Sequence, residues 1–189
     1  QIINREDQVC GGFVWEWCDH AIYKGIAPNG KAMYWYGGDH GEYPHDVNFC
    51  MDGLVYPDRT PHNGLKEFKN VQRPARIVSF DQKTGEIILK NYMDYLDLAD
   101  YLTARYEITC DGAVIDSGEL AVPSVAPHCT CSAALPVSVP EKGKCFLKLS
   151  YFLKADSTFL PAGFNLGFDE VALANTDGRN QTAAKLLDV

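Results

Sequence analysis

The feature that most constrains this chain is a period-two alternation running through its second half. In Cys145-Phe146-Leu147-Lys148-Leu149-Ser150-Tyr151, and again in Tyr106-Glu107-Ile108-Thr109-Cys110, successive residues trade between one apolar face and one more polar face. That is the signature of a strand covered on one side. Short β-rich segments at 75–80, 86–92, 104–110, 113–119, 131–135 and 145–153 are separated by Lys83-Thr84-Gly85, Asp111-Gly112 and Glu141-Lys142-Gly143. Such turns let the chain reverse between antiparallel strands, and Asp-Gly is the strongest short hairpin signal among them. Residues 74–175 are therefore predicted to form an antiparallel, immunoglobulin-like β-sandwich of six or seven strands, without the cysteine and tryptophan hallmarks of true immunoglobulin domains. Residues 176–189 lose periodicity and read as a linker or tail. Asn180-Gln181-Thr182 matches a glycosylation sequon but reads as coincidence without a secretory context.

The first half is built differently. Phe13-Val14-Trp15 within 11–17 is too short and too β-prone for a helix, and reads as a buried parallel strand opened by Gly11-Gly12 and closed by Asp19-His20. Glycines and prolines then recur from 21 to 61, predicting a long loop with little regular structure, and loops of that length in compact domains are usually functional. Thr60 is the expected N-cap of a helix with Pro61 in its first turn and Leu65, Phe68 and Val71 on its apolar face, ending before Pro74. Strand, loop and helix over 1–73 make one βα unit.

Composition excludes several function classes. The 189 residues are 46% hydrophobic and 22% charged, with net charge −8. A chain of this size buries roughly 70% of its unfolded surface and needs no staple to make a core. The acidic balance opposes binding to a phosphate backbone, so no nucleic-acid partner is expected. No apolar run approaches the roughly 20 residues that cross a bilayer, so no membrane partner is expected either. Seven cysteines, an odd number, favour reduced thiols and a cytoplasmic setting, although a parent chain exported by an upstream signal is compatible with that. Cys129 and Cys131 lack the Cys-x-x-Cys spacing of redox and zinc sites.

All three tryptophans and four of the five histidines lie within the first 62 residues, so any chemistry is expected there. Trp15, Trp17, Trp35, Tyr34, Tyr36 and Tyr43 stand beside Asp39, Glu42, Asp46 and Asp52. Flat aromatic faces can cover the apolar C–H side of a pyranose while carboxylates bond its hydroxyls; the same aromatics could equally be core. Glu16 and Asp19 could supply an acid and a base, but a single strand would put them on opposite faces. His40, His45 and Asp46 carry no recognised metal-ligand spacing.

Four blocks, Gly11-Gly12-Phe13-Val14-Trp15-Glu16-Trp17-Cys18-Asp19-His20, Tyr36-Gly37-Gly38-Asp39, Asn48-Phe49-Cys50-Met51-Asp52-Gly53-Leu54-Val55 and Asp58-Arg59-Thr60-Pro61-His62, together resemble the end of the catalytic barrel of family-two β-galactosidases, the large bacterial lactase type. The region from about Pro74 resembles the β-sandwich that follows that barrel. The resemblance implies a mainly β chain, a sandwich preceded by the last βα unit of a TIM barrel, and a fragment of a longer enzyme that opens at Gln1 without a methionine. It implies that Trp15 forms an apolar wall for galactose. It implies that the Phe49 carbonyl and the Asp52 side chain are sodium ligands meeting a galactose hydroxyl, with Asp52 standing where some members have asparagine, and that His45 lies near a second magnesium. Both catalytic glutamates of such enzymes lie on earlier barrel strands, so the chain alone is expected to be inactive. The implied partners are a galactoside and the rest of the parent chain, and a homo-oligomer is compatible. Segment 11–19, a lone strand with uncovered edges, is expected to pack on the sandwich, pair with a second copy, or be poorly ordered. Two other readings are a carbohydrate-binding module without catalysis and a structural domain. Another family-two glycosidase, a β-glucuronidase or β-mannosidase, is a further alternative, although the 48–55 block leans toward galactosidase.

Overall fold

Alternation survives without a break in Cys145–Leu153, where Cys145, Leu147, Leu149, Tyr151 and Leu153 are buried and the residues between them are not. The computed structural model describes residues 2, 3, 6 and 8–176. The tail beyond Thr176, with the sequon at 180–182, lies outside the described residues. The elements run β1 (Ile22–Ile26), β2 (Ala32–Trp35), α1 (Asn63–Val71), β3 (Ala75–Asp81), β4 (Glu86–Asn91), α2 (Leu98–Tyr101), β5 (Leu102–Cys110), β6 (Ala113–Leu120), β7 (Thr130–Ala134), β8 (Cys145–Leu153) and β9 (Asn165–Leu173). They fall into two units, Gln1–Phe68 and Lys69–Val189.

The second unit is an antiparallel sandwich. One sheet has the order β3-β4-β7 and the other β6-β5-β8-β9. Both feed one core, with Ala75, Ile87 and Leu89 from the first sheet meeting Leu102, Ile108, Leu147, Leu149, Tyr151 and Leu173 from the second. Burying each large aliphatic side chain contributes about 1.5–3 kcal/mol, so these inward rows fix the strand register. The expected Asp-Gly hairpin joins β5 to β6, with Asp111 at φ 48 and Gly112 at φ 85. Two consecutive positive φ angles make the turn whose twist matches its strands.

Polar groups inside the sandwich are paired. Asn91 is fully buried, donating through Nδ2 to the Leu96 and Val125 carbonyls and accepting from the Met93 amide, each at 2.8 Å. Asp169 on β9 accepts from the Tyr151 hydroxyl at 2.6 Å and the Ile77 amide at 3.0 Å, and pairs with Arg73. Burial, reinforced by that carboxylate, pushes the Tyr151 hydroxyl well above its ordinary pKa.

Three local expectations are corrected. Residues 11–17 form no strand; the parallel pairing is a single bridge, Cys18 to Val55. Phe13 and Trp15 are exposed rather than buried, because a strand needs partners on its edges and the described residues give this segment only the 50–55 stretch. The expected loop over 21–61 contains a hairpin, β1 paired with β2, whose Asn29-Gly30 turn was hidden among other glycines and prolines. The helix starts at Asn63 and not after Thr60. The Thr60 amide and hydroxyl both bond Asp58 Oδ1, at 2.9 and 2.7 Å, and Pro61 is held in a bridge to Val55.

Candidate functional site

The first unit is organised by backbone crossing between residues 16–20 and 50–55. The Leu54 and Val55 amides donate to the Trp17 carbonyl at 3.0 Å, the Asp19 amide to Val55 at 3.0 Å and the His20 amide to Cys50 at 2.8 Å. Only glycine fits at 53, because a Cβ there would lie 2.3 Å from the Asp19 nitrogen and 2.4 Å from the Cys18 carbonyl carbon. The side chain of Asp19 fastens the crossing. It is 1% exposed, accepts from the Gly53 amide at 2.8 Å through Oδ1, and from His62 Nε2 at 2.8 Å through Oδ2. An ionised carboxylate only accepts, so the imidazole N–H is the donor. The His62 ring stacks on Tyr56 with centroids 3.7 Å apart, and its amide donates to Leu54 at 3.0 Å. Sequence spacing gave no sign of this pair, although Asp19 and His62 both fall within the family-like blocks 11–20 and 58–62.

Trp15 stands at the edge of the crossing, 81% exposed. The next amide, that of Glu16, donates to the Asp52 carbonyl at 3.3 Å, so the Trp15 and Asp52 backbones are neighbours. The Asp52 side chain is exposed, and Phe49 is 78% exposed on the same loop. His45 is exposed, its Nδ1 accepting from the Val47 amide at 3.3 Å and its ring covering Gly38. Glu16 and Asp19 have separate partners, Glu16 lying 3.1 Å from His20 and Asp19 being held by His62. They do not form an acid and base pair.

A cleft of about 500 Å³ lies beside this crossing, lined among others by Asp19, His20, Trp35, Tyr36, Glu42 and Arg59. Its rim is shaped by carboxylates that cap loop backbone. Glu42 accepts from the Gly38 amide at 2.6 Å and the His40 amide at 3.0 Å, and the Gly38 bond foremost holds its carboxyl below the ordinary range. Trp35 meets His40 edge-on at 5.2 Å and carries Lys24 Nζ over its face at 4.5 Å. Half-buried Trp35 is thus engaged within the unit.

Sodium and magnesium take several oxygen donors, and octahedral magnesium six. Among the described residues no group of three or more histidine, cysteine or acidic side chains converges. Phe49 and Asp52 supply two oxygens from one loop, and His45, His40 and Asp46 do not gather around a point. These residues do not by themselves fit a metal site.

Comparison with known proteins agrees with the two-part construction. The model for glycosyl hydrolases family 2, TIM barrel domain, matches residues 1–77, and that for β-galactosidase, domain 4, matches residues 87–174. A β-galactosidase of Actinobacillus pleuropneumoniae is 49% identical over 92% of this chain and 16% of its own length. One from Staphylococcus xylosus is 36% identical over 90% of the chain and 17% of its own length. One from Arthrobacter sp. strain B7 is 29% identical over 92% and 18%. The chain therefore spans between 16% and 18% of the length of these relatives. With a barrel segment and the following sandwich both matched in order, the chain is the end of a glycosyl hydrolase family 2 barrel followed by a β-galactosidase domain 4.

Proposed function

We propose that this chain supplies one wall of a galactose pocket in a retaining β-galactosidase, with the cleaving carboxylates on other polypeptide of the same enzyme. The observation that carries the reading is the exposed indole of Trp15, set next to Asp52 by the Glu16–Asp52 backbone bond, in a chain 49% identical to a β-galactosidase. A flat apolar ring covers the C–H face of a pyranose, while the Asp52 carboxylate can accept from a sugar hydroxyl.

Retaining hydrolysis uses two carboxylates roughly 5–5.5 Å apart, one attacking the anomeric carbon and one protonating the leaving oxygen. Asp19 is unsuited to either task, because both its oxygens are engaged and its side chain is buried. Glu16 lies against His20. Among the described residues neither has a second carboxylate as its partner, so the chain on its own is inactive in this account. Its residues bind and orient the sugar, and the Asp19–His62 pair holds the loop that carries Phe49 and Asp52.

Sodium and magnesium belong to the enzyme as a whole in this reading, with Phe49, Asp52 and His45 as partial contributions that other residues complete. The partners are a galactoside, the remaining polypeptide and further copies of the chain, and the setting is cytoplasmic. The test compares hydrolysis of a chromogenic β-D-galactoside by the chain alone and by the longer polypeptide carrying it. Turnover by the longer polypeptide alone is expected; turnover by the 189-residue chain, abolished by Glu16→Gln, would overturn the reading.

A further inference from the structure

Outside the candidate site, two thiols lie side by side on neighbouring strands at one end of the four-stranded sheet. Cys110 ends β5, Cys145 begins β8, and the two are direct partners in the antiparallel register. The adjoining pair is hydrogen-bonded, the Asp111 amide donating to the Lys144 carbonyl at 2.9 Å. Bonded and non-bonded pairs alternate along an antiparallel ladder, so Cys110 and Cys145 occupy a non-bonded pair, where Cα atoms lie about 4.5 Å apart and side chains approach closest. Disulfides span Cα separations of about 4.4–6.8 Å. Both side chains point into the same core, Cys145 fully buried and Cys110 packed against it from a half-buried position. The turn above them leaves no slack, since a Cβ on Gly143 would lie 2.5 Å from the Cys110 sulfur.

We propose that Cys110 and Cys145 are a modification site at which a small disulfide of the oxidised-glutathione class installs a cross-strand disulfide. Cys110, the more accessible thiol, attacks as its thiolate one sulfur of the reagent, forming a mixed disulfide and releasing one glutathione thiolate. Cys145 loses its proton to solvent and attacks the Cys110 sulfur, expelling the second glutathione. The two cysteines give up two electrons and two protons, and the reagent leaves as two reduced glutathiones. Burial, followed by the contact with Cys110, pushes the Cys145 thiol up to about 11, with Asp111 acting in the same direction and the Asn175 amide opposing it. The second step is accordingly the slow one, and the mixed disulfide on Cys110 is the species that precedes the link.

All seven cysteines are free thiols in the structure, and the exposed Cys10 and Cys129 serve as internal controls for reagent access. The experiment treats the full folded chain with excess oxidised glutathione, alkylates residual thiols, and maps peptides by mass spectrometry without reduction. The expected result is a linked peptide pair joining Cys110 to Cys145, preceded by a Cys110 glutathione adduct, with a denaturation midpoint above that of the reduced chain. Cys110→Ser removes the linked pair and leaves Cys145 alkylatable. A persistent glutathione adduct on Cys110 with no link would overturn the proposal. So would unmodified Cys110 and Cys145 under conditions that modify Cys129.

Discussion

His62 Nε2 lies 2.8 Å from Oδ2 of Asp19, a carboxylate whose side chain is 1% exposed and whose other oxygen holds the Gly53 amide. Residues 43 positions apart are thereby joined around the loop that presents Phe49 and Asp52. A hydrogen bond to a charged partner contributes about 1.5–3 kcal/mol. Asp19→Ala is therefore expected to speed exchange of the Gly53 amide by roughly tenfold to a hundredfold, read by hydrogen–deuterium exchange. Unchanged protection at Gly53 would mean that the pair does not hold the loop.

Gly53 has the complementary requirement for space. A methyl group would meet the backbone of Cys18 and Asp19 well inside contact distance, and backbone cannot swing aside as a flexible side chain can. Gly53→Ala should destabilise the crossing by about 1–3 kcal/mol, the usual range for overpacking. Amide exchange of Leu54 and Val55, whose bonds to Trp17 form the crossing, is the measurement.

Much of the sandwich was legible because its inward rows are uninterrupted, as Cys145 to Leu153 shows. β9 was not, since Gly167 at φ 142 and the Asp169-Glu170 pair break the alternation, and Asp169 turns inward only because Arg73 and Tyr151 meet it. α2 has four residues, too few to show a period, and depends on Asp97 as its N-cap. Trp15, Phe49 and Asp52 were singled out by their blocks of residues rather than by periodicity, and the structure sets the stretches that carry them side by side. The strand expected at 11–17 failed because pairing is a property of neighbours, which a hydrophobic run cannot reveal.

Asn91 is the polar anchor of the sandwich. Its three bonds tie β4 to the segments at Met93, Leu96 and Val125. Asn91→Leu would leave two carbonyls and an amide buried without that partner, at about 1–3 kcal/mol for each one left unsatisfied. Urea denaturation followed by intrinsic fluorescence should show a loss of at least about 2 kcal/mol, and a change under about 0.5 kcal/mol would contradict the assignment.

Asp97 couples stability to pH. The Ser124 hydroxyl, foremost, and the Ala99 amide hold its carboxyl below the ordinary range, despite an opposing desolvation effect. A depressed carboxyl contributes stability that is fully present above its unfolded value, about 3.9, and is lost as pH falls through its folded value. Denaturation midpoints measured from pH 6 down to about pH 2.5 should fall less steeply below about pH 4 in Asp97→Asn than in the parent. An identical acid limb would reject the coupling.

The most direct test of the galactose wall is the steady-state kinetics of Trp15→Ala in the longer polypeptide that carries this chain, with a chromogenic β-D-galactoside. Losing an indole that covers a sugar face removes about 1.5–3 kcal/mol of binding surface, so kcat/KM should fall roughly tenfold to a hundredfold. Trp15→Phe should recover part of the loss. Parental kcat/KM in a folded Trp15→Ala variant would contradict the account.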